Sequence, residues 1–460
     1  MSGDLAQPAE RFRVIARGKL NDPTLQRAVD FAANRLREAR IGAWEELEDV
    51  EALRQAAHDA KMRAIRDLDR YLAEFVASVE RVGGKVVVCR TSEEATRYVL
   101  DVCRRRGATL VAKSKSMATE EIGLNDALEA EGIRPVETDL GEYILQLAGD
   151  HPSHIIAPAI EYTKEQAAAL LSAAEGRELP TDLPALTQAA RRQLRDVFLT
   201  AEVGITGANF LVAETGTIVT VTNEGNGRLV ASAPPCHIAV TGIERLVPTL
   251  ADLPPLLALL GRSGTGQRLT SYTHFVTGPR REGEVDGPEE LHVVLLEQGR
   301  RNLLGTRYEE MLACIRCGSC LNVCPVYRKT AGIAYGGVYS GPMGAVLVPL
   351  LTGLDRTPSL PHASSLCGAC TEACPVKIPL HELLLELRRD LVEQGVAPRS
   401  ERLAMTLWSL AWSSPTGYRV TTAIARATQR LAGLAGPGRT WSRGRAVPPF
   451  ARRRFRDRRA

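Results

Sequence analysis

Seven of the ten cysteines lie in one short stretch of this 460-residue chain, between Cys314 and Cys374. The first four form Cys314-Ile-Arg-Cys317-Gly-Ser-Cys320-Leu-Asn-Val-Cys324-Pro, the Cys-x2-Cys-x2-Cys-x3-Cys-Pro run of bacterial ferredoxins. A loop with two-residue gaps can present three thiolates to one cubane, while small residues let backbone N–H groups approach the sulfurs. This spacing predicts an iron–sulfur site.

A second motif follows as Cys367-Gly-Ala-Cys370-Thr-Glu-Ala-Cys374-Pro. In two-cluster ferredoxins the last cysteine of each run binds the cluster of the other run. We therefore predict two clusters with crossed ligands, both of the [4Fe–4S] type unless one iron is missing. Cluster 1 would take Cys314, Cys317, Cys320 and Cys374, and cluster 2 would take Cys324, Cys367 and Cys370.

Cluster 2 lacks one cysteine, because the position three residues before Cys367 is Ser364. One possibility is a [4Fe–4S] cluster whose fourth ligand is Ser364, Ser365, His362, a water or a group from a partner protein. The other is a [3Fe–4S] cluster with an empty corner. The sequence leaves these alternatives open.

Zinc also favours paired cysteines in tetrahedral sites, but two zinc sites would not explain the unbroken ferredoxin run. Clusters that serve only as structural staples are another alternative. Other signals fail: His381-Glu-Leu-Leu-Leu385 lacks the second histidine of a zinc-protease helix and reads as a charged helix start. Gly261-Arg-Ser-Gly264-Thr-Gly266 lacks dinucleotide-binding spacing and reads as a turn.

Neither a flavin site nor a nicotinamide site is recognisable, so the chain has no evident acceptor for two electrons. This favours an electron relay without catalysis of its own over a complete dehydrogenase. Its partners would hold the donor chemistry.

Composition is that of a soluble globular protein, with 44% hydrophobic and 24% charged residues. No apolar stretch is long enough to cross a bilayer, and the first residues do not resemble an export signal, so we expect a cytoplasmic location. The net charge of +4 comes from residues 437–460, which are rich in arginine. We expect a solvated tail and no nucleic acid.

The elements that must position the cysteines follow from periodicity. Residues before 80 have helical spacing. Strands are then predicted at Lys85–Cys89, Thr109–Ala112, Ile133–Glu137 and Ser153–Ala157, with helices between them. This alternation predicts a doubly wound α/β domain with parallel strands. We further predict a hairpin of Phe210–Ala213 and Thr217–Thr222, a buried strand at Leu291–Leu296, and helices at His381–Gln394 and Ser400–Trp412.

These elements divide the chain into five parts. They are an N-terminal helical region (1–80), an α/β domain (81–300), a two-cluster ferredoxin-like domain (301–390), C-terminal helices (391–435) and a basic tail (436–460).

Several segments carry a family resemblance, which extends through both cysteine motifs: 137–146, 204–207, 222–228, 266–272 and 339–345. In these segments the chain resembles the lactate-utilisation protein B family. The resemblance implies a lactate-utilisation (LUD) domain, similar in fold to ribose-phosphate isomerase and CoA-transferase proteins, followed by an α-helical ferredoxin domain. It also implies that Ser-Ser before Cys367 is normal for the family, whereas Glu161 stands where we expect histidine in many members.

The resemblance further implies work alongside a cysteine-rich subunit and a smaller LUD-domain protein in oxidising L-lactate to pyruvate, with an unknown electron acceptor. Within the LUD domain the polar residues of the motif loops have no assigned chemistry: Lys113, Lys115, Asp139, Glu142, Glu214 and Arg268. By analogy with CoA-transferases Glu214 is a candidate nucleophile, but a carboxylate that caps a turn is the preferred interpretation.

Our leading hypothesis is an electron-transfer subunit of an L-lactate-oxidising complex. The first alternative is a relay for another 2-hydroxy acid such as glycolate. The others are a cluster-bearing regulator that binds nucleic acid through its arginine tail, and a LUD-domain transferase with incidental clusters.

Overall fold

The computed structural model describes residues 10–432 and residue 451. Chain contacts divide it into two units, residues 1–390 and residues 391–460. The first unit opens with four helices, α1 (Glu10–Leu20), α2 (Pro23–Glu45), α3 (Val50–Arg66) and α4 (Leu68–Arg81). Helix α4 buries Leu68, Leu72, Phe75 and Val79, the spacing of an amphipathic helix that packs on a core. The helices expected before residue 80 are present.

Ten strands follow in the described part of the chain. They are β1 (Lys85–Cys89), β2 (Leu110–Lys113), β3 (Arg134–Glu137), β4 (Val203–Thr206), β5 (Phe210–Val212), β6 (Thr217–Thr222), β7 (Cys236–Gly242), β8 (Leu246–Val247), β9 (Tyr272–Val276) and β10 (Glu290–Leu296). Six of them form a parallel sheet in the order β1-β10-β7-β4-β2-β3. The expected parallel α/β sheet is confirmed.

The predicted hairpin is also confirmed, because β5 and β6 pair antiparallel with Phe210 opposite Val219. It belongs to a second, four-stranded sheet in the order β8-β5-β6-β9. The buried strand predicted at Leu291–Leu296 is β10, which lies inside the parallel sheet between β1 and β7.

Helices flank the parallel sheet: α5 (Ser92–Arg105), α6 (Met117–Glu121), α7 (Leu124–Ala130), α8 (Leu140–Ala148), α9 (Lys164–Glu175), α10 (Leu183–Thr200), α11 (Asn226–Ser232) and α12 (Leu253–Thr265). One core contains Ile205 and Ile238 of the sheet together with Val99 of α5. Another contains Val293 of the sheet together with Phe75 of α4. Alternate side chains of buried parallel strands thus enter cores on opposite faces.

The strand predicted at Ser153–Ala157 is wrong, since this segment forms an irregular loop. The buried His154 ring determines the difference, because its Nδ1 accepts the N–H groups of Ile156 and Ala157 at 3.1 and 3.0 Å. These N–H groups are therefore unavailable to a sheet. The Ser153 carbonyl accepts the hydroxyl of Tyr327 at 2.9 Å, which ties the loop to the cysteine segment.

The turn predicted at Gly261–Gly266 is wrong for its first part, because Gly261 and Gly264 lie inside α12. The apolar run that starts at Leu253 extends the helix through them. At Gly264 a Cβ atom would approach Ile156 Cδ1 to 2.6 Å, so this glycine lets α12 pack closely on the loop. Only Gly266, with φ of 77°, turns the chain at the helix end.

The cysteine segment consists of short helices joined by loops, and residues 300–390, all of them described, form no strand. Its helices are α13 (Ser319–Val323), α14 (Tyr327–Thr330), α15 (Gly341–Thr352), α16 (Ala369–Glu372) and α17 (Leu380–Glu393). Arg328 pairs with Asp30 of α2 at 3.1 Å. The N-terminal helices therefore hold the cysteine segment.

The second unit contains α18 (Arg399–Trp412) and α19 (Pro415–Ala432). The ring of Trp412 lies 5.3 Å from that of Trp408 and 5.2 Å from that of Tyr418, so aromatic contacts join the two helices. Apart from residue 451, the basic tail lies outside the described residues. No helix within the described ranges combines the length and the apolar character that a membrane crossing needs.

Candidate metal centre and an adjoining cavity

The two cysteine motifs share one backbone conformation. Arg316 and Leu366, each just before a cysteine, have φ of 59° and 55°, and Gly318 and Gly368 just after have φ of 74° and 83°. A left-handed conformation is unfavourable for residues with a Cβ atom, so its repetition indicates a loop shaped for one purpose.

The last cysteine of each motif receives a backbone hydrogen bond. The N–H of Tyr327 donates to Cys324 Sγ at 3.5 Å, and that of Ile378 donates to Cys374 Sγ at 3.4 Å. Such N–H···S bonds stabilise thiolates bound to a metal cluster. The last cysteines of the two motifs thus have equivalent surroundings.

Four cysteines, here called the first set, line one small buried cavity: Cys314, Cys317, Cys320 and Cys374. Burial, followed by the nearby Cys374, raises the pKa of Cys317. Burial and the nearby Cys314 raise the pKa of Cys374 to about 12. Thiols this close are costly to ionise together without a cation, and the irons of a cluster would supply that positive charge.

The other three, the second set, are Cys324, Cys367 and Cys370. Burial, followed by Cys324 and Cys367, raises the pKa of Cys370 to about 11. Cys324 and Cys370 are buried whereas Cys367 is exposed. The second set therefore contains an exposed thiol, whereas the first set contains three buried thiols and the half-buried Cys314.

Ser364 occupies the place in the second motif that Cys314 holds in the first. Its Oγ accepts the N–H of Leu366 at 3.1 Å. Arg388 of α17 binds the carbonyls of Pro361 and Ser364 at 2.8 and 2.9 Å, which fixes this loop. All seven cysteines are free of disulfides, and their two groups fit iron–sulfur clusters held by crossed motifs.

Side chains from the N-terminal helices and from the α/β domain position the cysteine loops. Arg54 of α3 donates from Nη2 to the Cys374 carbonyl at 2.7 Å. Arg245, which follows β7, donates to the Cys314 carbonyl at 3.2 Å. The cysteine segment is thus built onto the domain before it.

Cys89, Cys103 and Cys236 lie apart from both sets, in the core of the parallel sheet. Burial raises their pKa values to about 11, 12 and 11, respectively. Buried thiols of this kind are unreactive, and these three have a packing role.

A cavity of about 270 Å³ lies beside the first set, at the carboxyl ends of β2, β4 and β7. In open α/β sheets ligands bind at this edge. Lys115 and Asp139, which are motif-loop residues of the sequence, line it, and so do Arg245, Arg300 and Arg316. Motifs and periodicity did not point to these arginines, because they come from three separate segments.

Buried charges form the wall between this cavity and the first set. Arg300 binds Glu121 through two hydrogen bonds of 2.9 and 2.8 Å, and its Nε binds Glu244 at 2.7 Å. The Tyr339 hydroxyl donates to Glu121 at 2.5 Å. Burial opposes ionisation of Glu244, but Arg300, Arg245 and Arg316 outweigh it and lower its pKa to about 2.

Arg316 stands at the junction, since it lines both the large cavity and the cavity of the first set. Its Nη2 lies 3.3 Å from Glu244, and its guanidinium lies 4.8 Å from the ring centre of Tyr339. Burial disfavours its charge, but Cys314, Tyr339 and Glu244 raise its pKa above the usual value.

Two further lining residues, Asp139 and Glu224, are acidic. Asp139 caps α8 by accepting the N–H groups of Gly141 and Glu142 at 3.1 and 3.2 Å. Burial and the nearby Asp139 raise the pKa of Glu224 to about 7. The lining of the cavity therefore contains both cationic groups and carboxyl groups.

Two motif-loop residues, Lys113 and Glu142, lie close together outside the cavity lining. The Lys113 ammonium binds Glu137 at 2.6 Å and lies 3.5 Å from Glu120. The carboxylates of Glu120, Glu137 and Glu142 could together hold a metal ion, but Lys113 already supplies positive charge there. Burial, followed by Glu137, raises the pKa of Glu142 well above its usual value.

The remaining two motif-loop residues, Glu214 and Arg268, lie at the surface. The exposed Glu214 accepts the N–H of Leu250 at 3.2 Å, which agrees with a capping role. Arg268 pairs with Glu46 at 2.8 Å. Glu161, where histidine was expected, pairs with Lys19 at 2.6 Å.

Comparison with known proteins divides the chain into three matched regions. Residues 72–296 match the LUD domain, residues 310–378 the 4Fe-4S dicluster domain, and residues 387–460 the C-terminal domain of lactate utilisation protein B. The first domain thus contains the parallel sheet, and the second contains all seven clustered cysteines.

Two similar proteins are named lactate utilization protein B. The one from Bacillus licheniformis is 46% identical over 97% of this chain and 96% of its own length. The one from Bacillus subtilis is 47% identical over 95% and 93%. A solved DUF162 family protein from Deinococcus radiodurans is 14% identical, covering 50% of this chain and 97% of its own, with a TM-score of 0.28.

Proposed function

This chain belongs to the lactate utilisation protein B family, and we propose that it is the iron–sulfur electron-transfer subunit of a complex that oxidises L-lactate to pyruvate. The observation that carries the proposal is the grouping of seven free thiols into two neighbouring sets, one mostly buried and one with an exposed thiol.

Clusters bound at these sets would take up and release single electrons. The chain's own residues give the two sets different surroundings. Cys317, Cys320 and Cys374 are buried and exclude water from the first set, while the exposed Cys367 opens the second set to solvent. The second set is therefore our proposed point of contact with a partner protein or electron acceptor.

Lactate oxidation breaks the hydroxyl O–H bond and the C2–H bond and releases two electrons and two protons. A group that accepts the pair must come first, and we place it in a partner protein. The proposed partners are a cysteine-rich subunit and a smaller LUD-domain protein, and the final acceptor remains to be identified. This chain alone then performs no catalysis.

The ligand set of cluster 1 is proposed to be Cys314, Cys317, Cys320 and Cys374. Cluster 2 is proposed to use Cys324, Cys367 and Cys370. The fourth position of cluster 2 is completed by Ser364, Ser365, His362, water or a partner's group, or stays empty in a [3Fe–4S] cluster.

Metal analysis tests the cofactor content directly. Anaerobically purified protein is expected to be brown and to hold about seven to eight irons with matching sulfide, and almost no zinc. A Cys103→Ser variant is the matched control, because that thiol lies in the sheet core. Iron below about three per chain after reconstitution contradicts two clusters.

Glycolate or another 2-hydroxy acid is the alternative substrate within the same proposal. Purified partner proteins separate the alternatives, because the complex should be reduced by L-lactate faster than by glycolate. The reverse preference would change the substrate and leave the relay in place.

A further inference from the structure

The cavity beside Arg316 has no part in the electron relay proposed above. It measures about 270 Å³ and is lined by residues that follow β2, β4 and β7 and by residues of the cysteine segment. Ligand pockets run from about 300 to 1,000 Å³, so this one suits a small metabolite and excludes a dinucleotide.

Arg316 lines this space, and two of its nitrogen atoms have no oxygen acceptor among the described residues. The residue is 8% exposed, and its Nε and Nη1 are buried without a hydrogen-bond partner among the described residues. Buried polar groups are normally hydrogen-bonded, because water is lost on burial. The Cys314 thiol also forms a hydrogen bond with this guanidinium, so a ligand oxygen would share Arg316 with that sulfur.

Charge around Arg316 favours an anion. The buried cations Arg245 and Arg300 lie close by, whereas burial lowers the pKa of the neighbouring Lys61 to about 7. Their carboxylate partners are Glu121 and Glu244. Three arginines lie beside two carboxylates, so positive charge is left over next to the first set and next to a ligand in the cavity.

Other residues of the lining offer groups that recognise a hydroxyl or a carbonyl oxygen. Lys115 can donate a hydrogen bond, Asn209 can donate or accept one, and both line the cavity. Glu224 has a pKa of about 7, because burial and Asp139 disfavour its charge. It can therefore also donate near neutral pH.

We propose that this cavity binds a small 2-hydroxy or 2-oxo carboxylate, with the carboxylate beside the guanidinium of Arg316 and the neighbouring oxygen on the other polar groups of the lining. The choice of these acids rests on the proposed function. The carboxylate site itself rests on Arg316 and its surroundings.

Occupancy of the cavity and the charge of the first set are coupled. Arg316 lies between Cys314 and Cys317 in the chain, so a bound carboxylate adds negative charge close to cluster 1. Nearby negative charge disfavours uptake of an electron. The ligand therefore lowers the midpoint potential of cluster 1, and reduction of that cluster weakens ligand binding by the same factor.

Calorimetry on the anaerobic, cluster-loaded full chain tests this, with pyruvate and L-lactate as probes and inorganic phosphate as the competing anion. We expect saturable binding of one acid per chain and a lower cluster 1 midpoint potential when it is bound. Arg316→Gln should weaken binding about tenfold or more, the loss of a hydrogen bond between charged groups.

Arg316 adjoins two proposed ligands, so a second variant guards against loss of the cluster. Lys115 lies outside the cysteine motifs, so Lys115→Gln should weaken binding of the acid while iron content stays unchanged. Arg192→Gln is the matched control, because Arg192 forms a surface pair with Glu175, and it should bind like the unmodified chain.

Three results would overturn the carboxylate site. They are no binding of either acid at millimolar concentration, binding by both cavity variants that is as tight as binding by the unmodified chain, or binding of phosphate alone. None of them bears on the electron relay, which is tested by iron content and by reduction within the complex.

Discussion

Cys320 and Cys374 line the same buried cavity, although they belong to different cysteine motifs. Cys374 follows α16, whereas Cys320 lies in α13, and the backbone of each motif turns through the same left-handed positions. The last cysteine of the second motif thus lies beside the third cysteine of the first motif, and this is the basis of the crossed ligand assignment.

Serine variants should therefore group across the motifs. We expect Cys320→Ser and Cys374→Ser to damage the same cluster, and Cys324→Ser to resemble Cys370→Ser, because each pair belongs to one set. Electron paramagnetic resonance and iron content of the four variants are the measurements, with Cys103→Ser as control. Spectra that group Cys320 with Cys324 would contradict the crossed assignment.

Air should destroy the second cluster before the first. Cys367 is exposed whereas the thiols of Cys317 and Cys320 are buried, and oxidants attack accessible thiolates first. During brief exposure to air, the spectral signal that Cys324→Ser abolishes should decay before the signal that Cys320→Ser abolishes. Equal decay rates, or the opposite order, would count against a surface position for the second set.

The buried ion network that carries Arg300 should be a major source of stability. Arg300→Met leaves Glu121 and Glu244 buried without their main cation, and breaking a buried pair costs about 3–5 kcal/mol. Thermal unfolding of the cluster-loaded protein, followed by circular dichroism, measures the effect. Arg192→Gln removes an exposed pair and should cost about 0–1 kcal/mol.

A double variant makes this test specific. Arg300→Met combined with Glu121→Gln should lose less stability than the sum of the single losses, because the two residues interact directly. Additive losses, or a loss from Arg300→Met no larger than that of the surface control, would contradict the network.

Glu224 should make stability depend on pH. Its pKa is raised from 4.5 to about 7 in the folded chain, so the folded state holds a proton that the unfolded state releases between these values. Stability from this group is present at the acidic end and is lost as pH rises from about 4.5 to 7. Melting temperatures measured from pH 5 to 8 should show this loss.

Glu224→Gln isolates the effect, because glutamine does not titrate. The melting temperature of the unmodified chain should fall relative to the variant as pH rises through this range. A constant difference between the two proteins would show that Glu224 has an ordinary pKa.

Local patterns explain why the cysteine sites were predictable. The spacing from Cys314 to Cys324 lies within one short segment and determines where three thiols can point, and periodicity identified strands such as β1 and β10. Ser153–Ala157 was wrong because a side chain, His154, takes the backbone hydrogen bonds that a strand would use. No periodicity reveals such a competitor.

The cavity could not be predicted for a different reason. Lys115, Arg245 and Arg316 lie in three distant segments and meet only after the parallel sheet and the cysteine segment have packed together. Gly264 misled in the same way, since its small size serves contact with Ile156 rather than a turn.

Reduction by lactate tests the central claim, that this chain relays electrons from a partner. L-lactate is mixed anaerobically with the cluster-loaded chain alone and with the chain plus its two partner proteins, while visible cluster absorbance is followed. The account predicts bleaching only in the complete mixture, because binding of an acid by this chain transfers no electrons. Bleaching of the chain alone would contradict the relay, and unbleached clusters in a demonstrably active complex would remove this protein from the electron path.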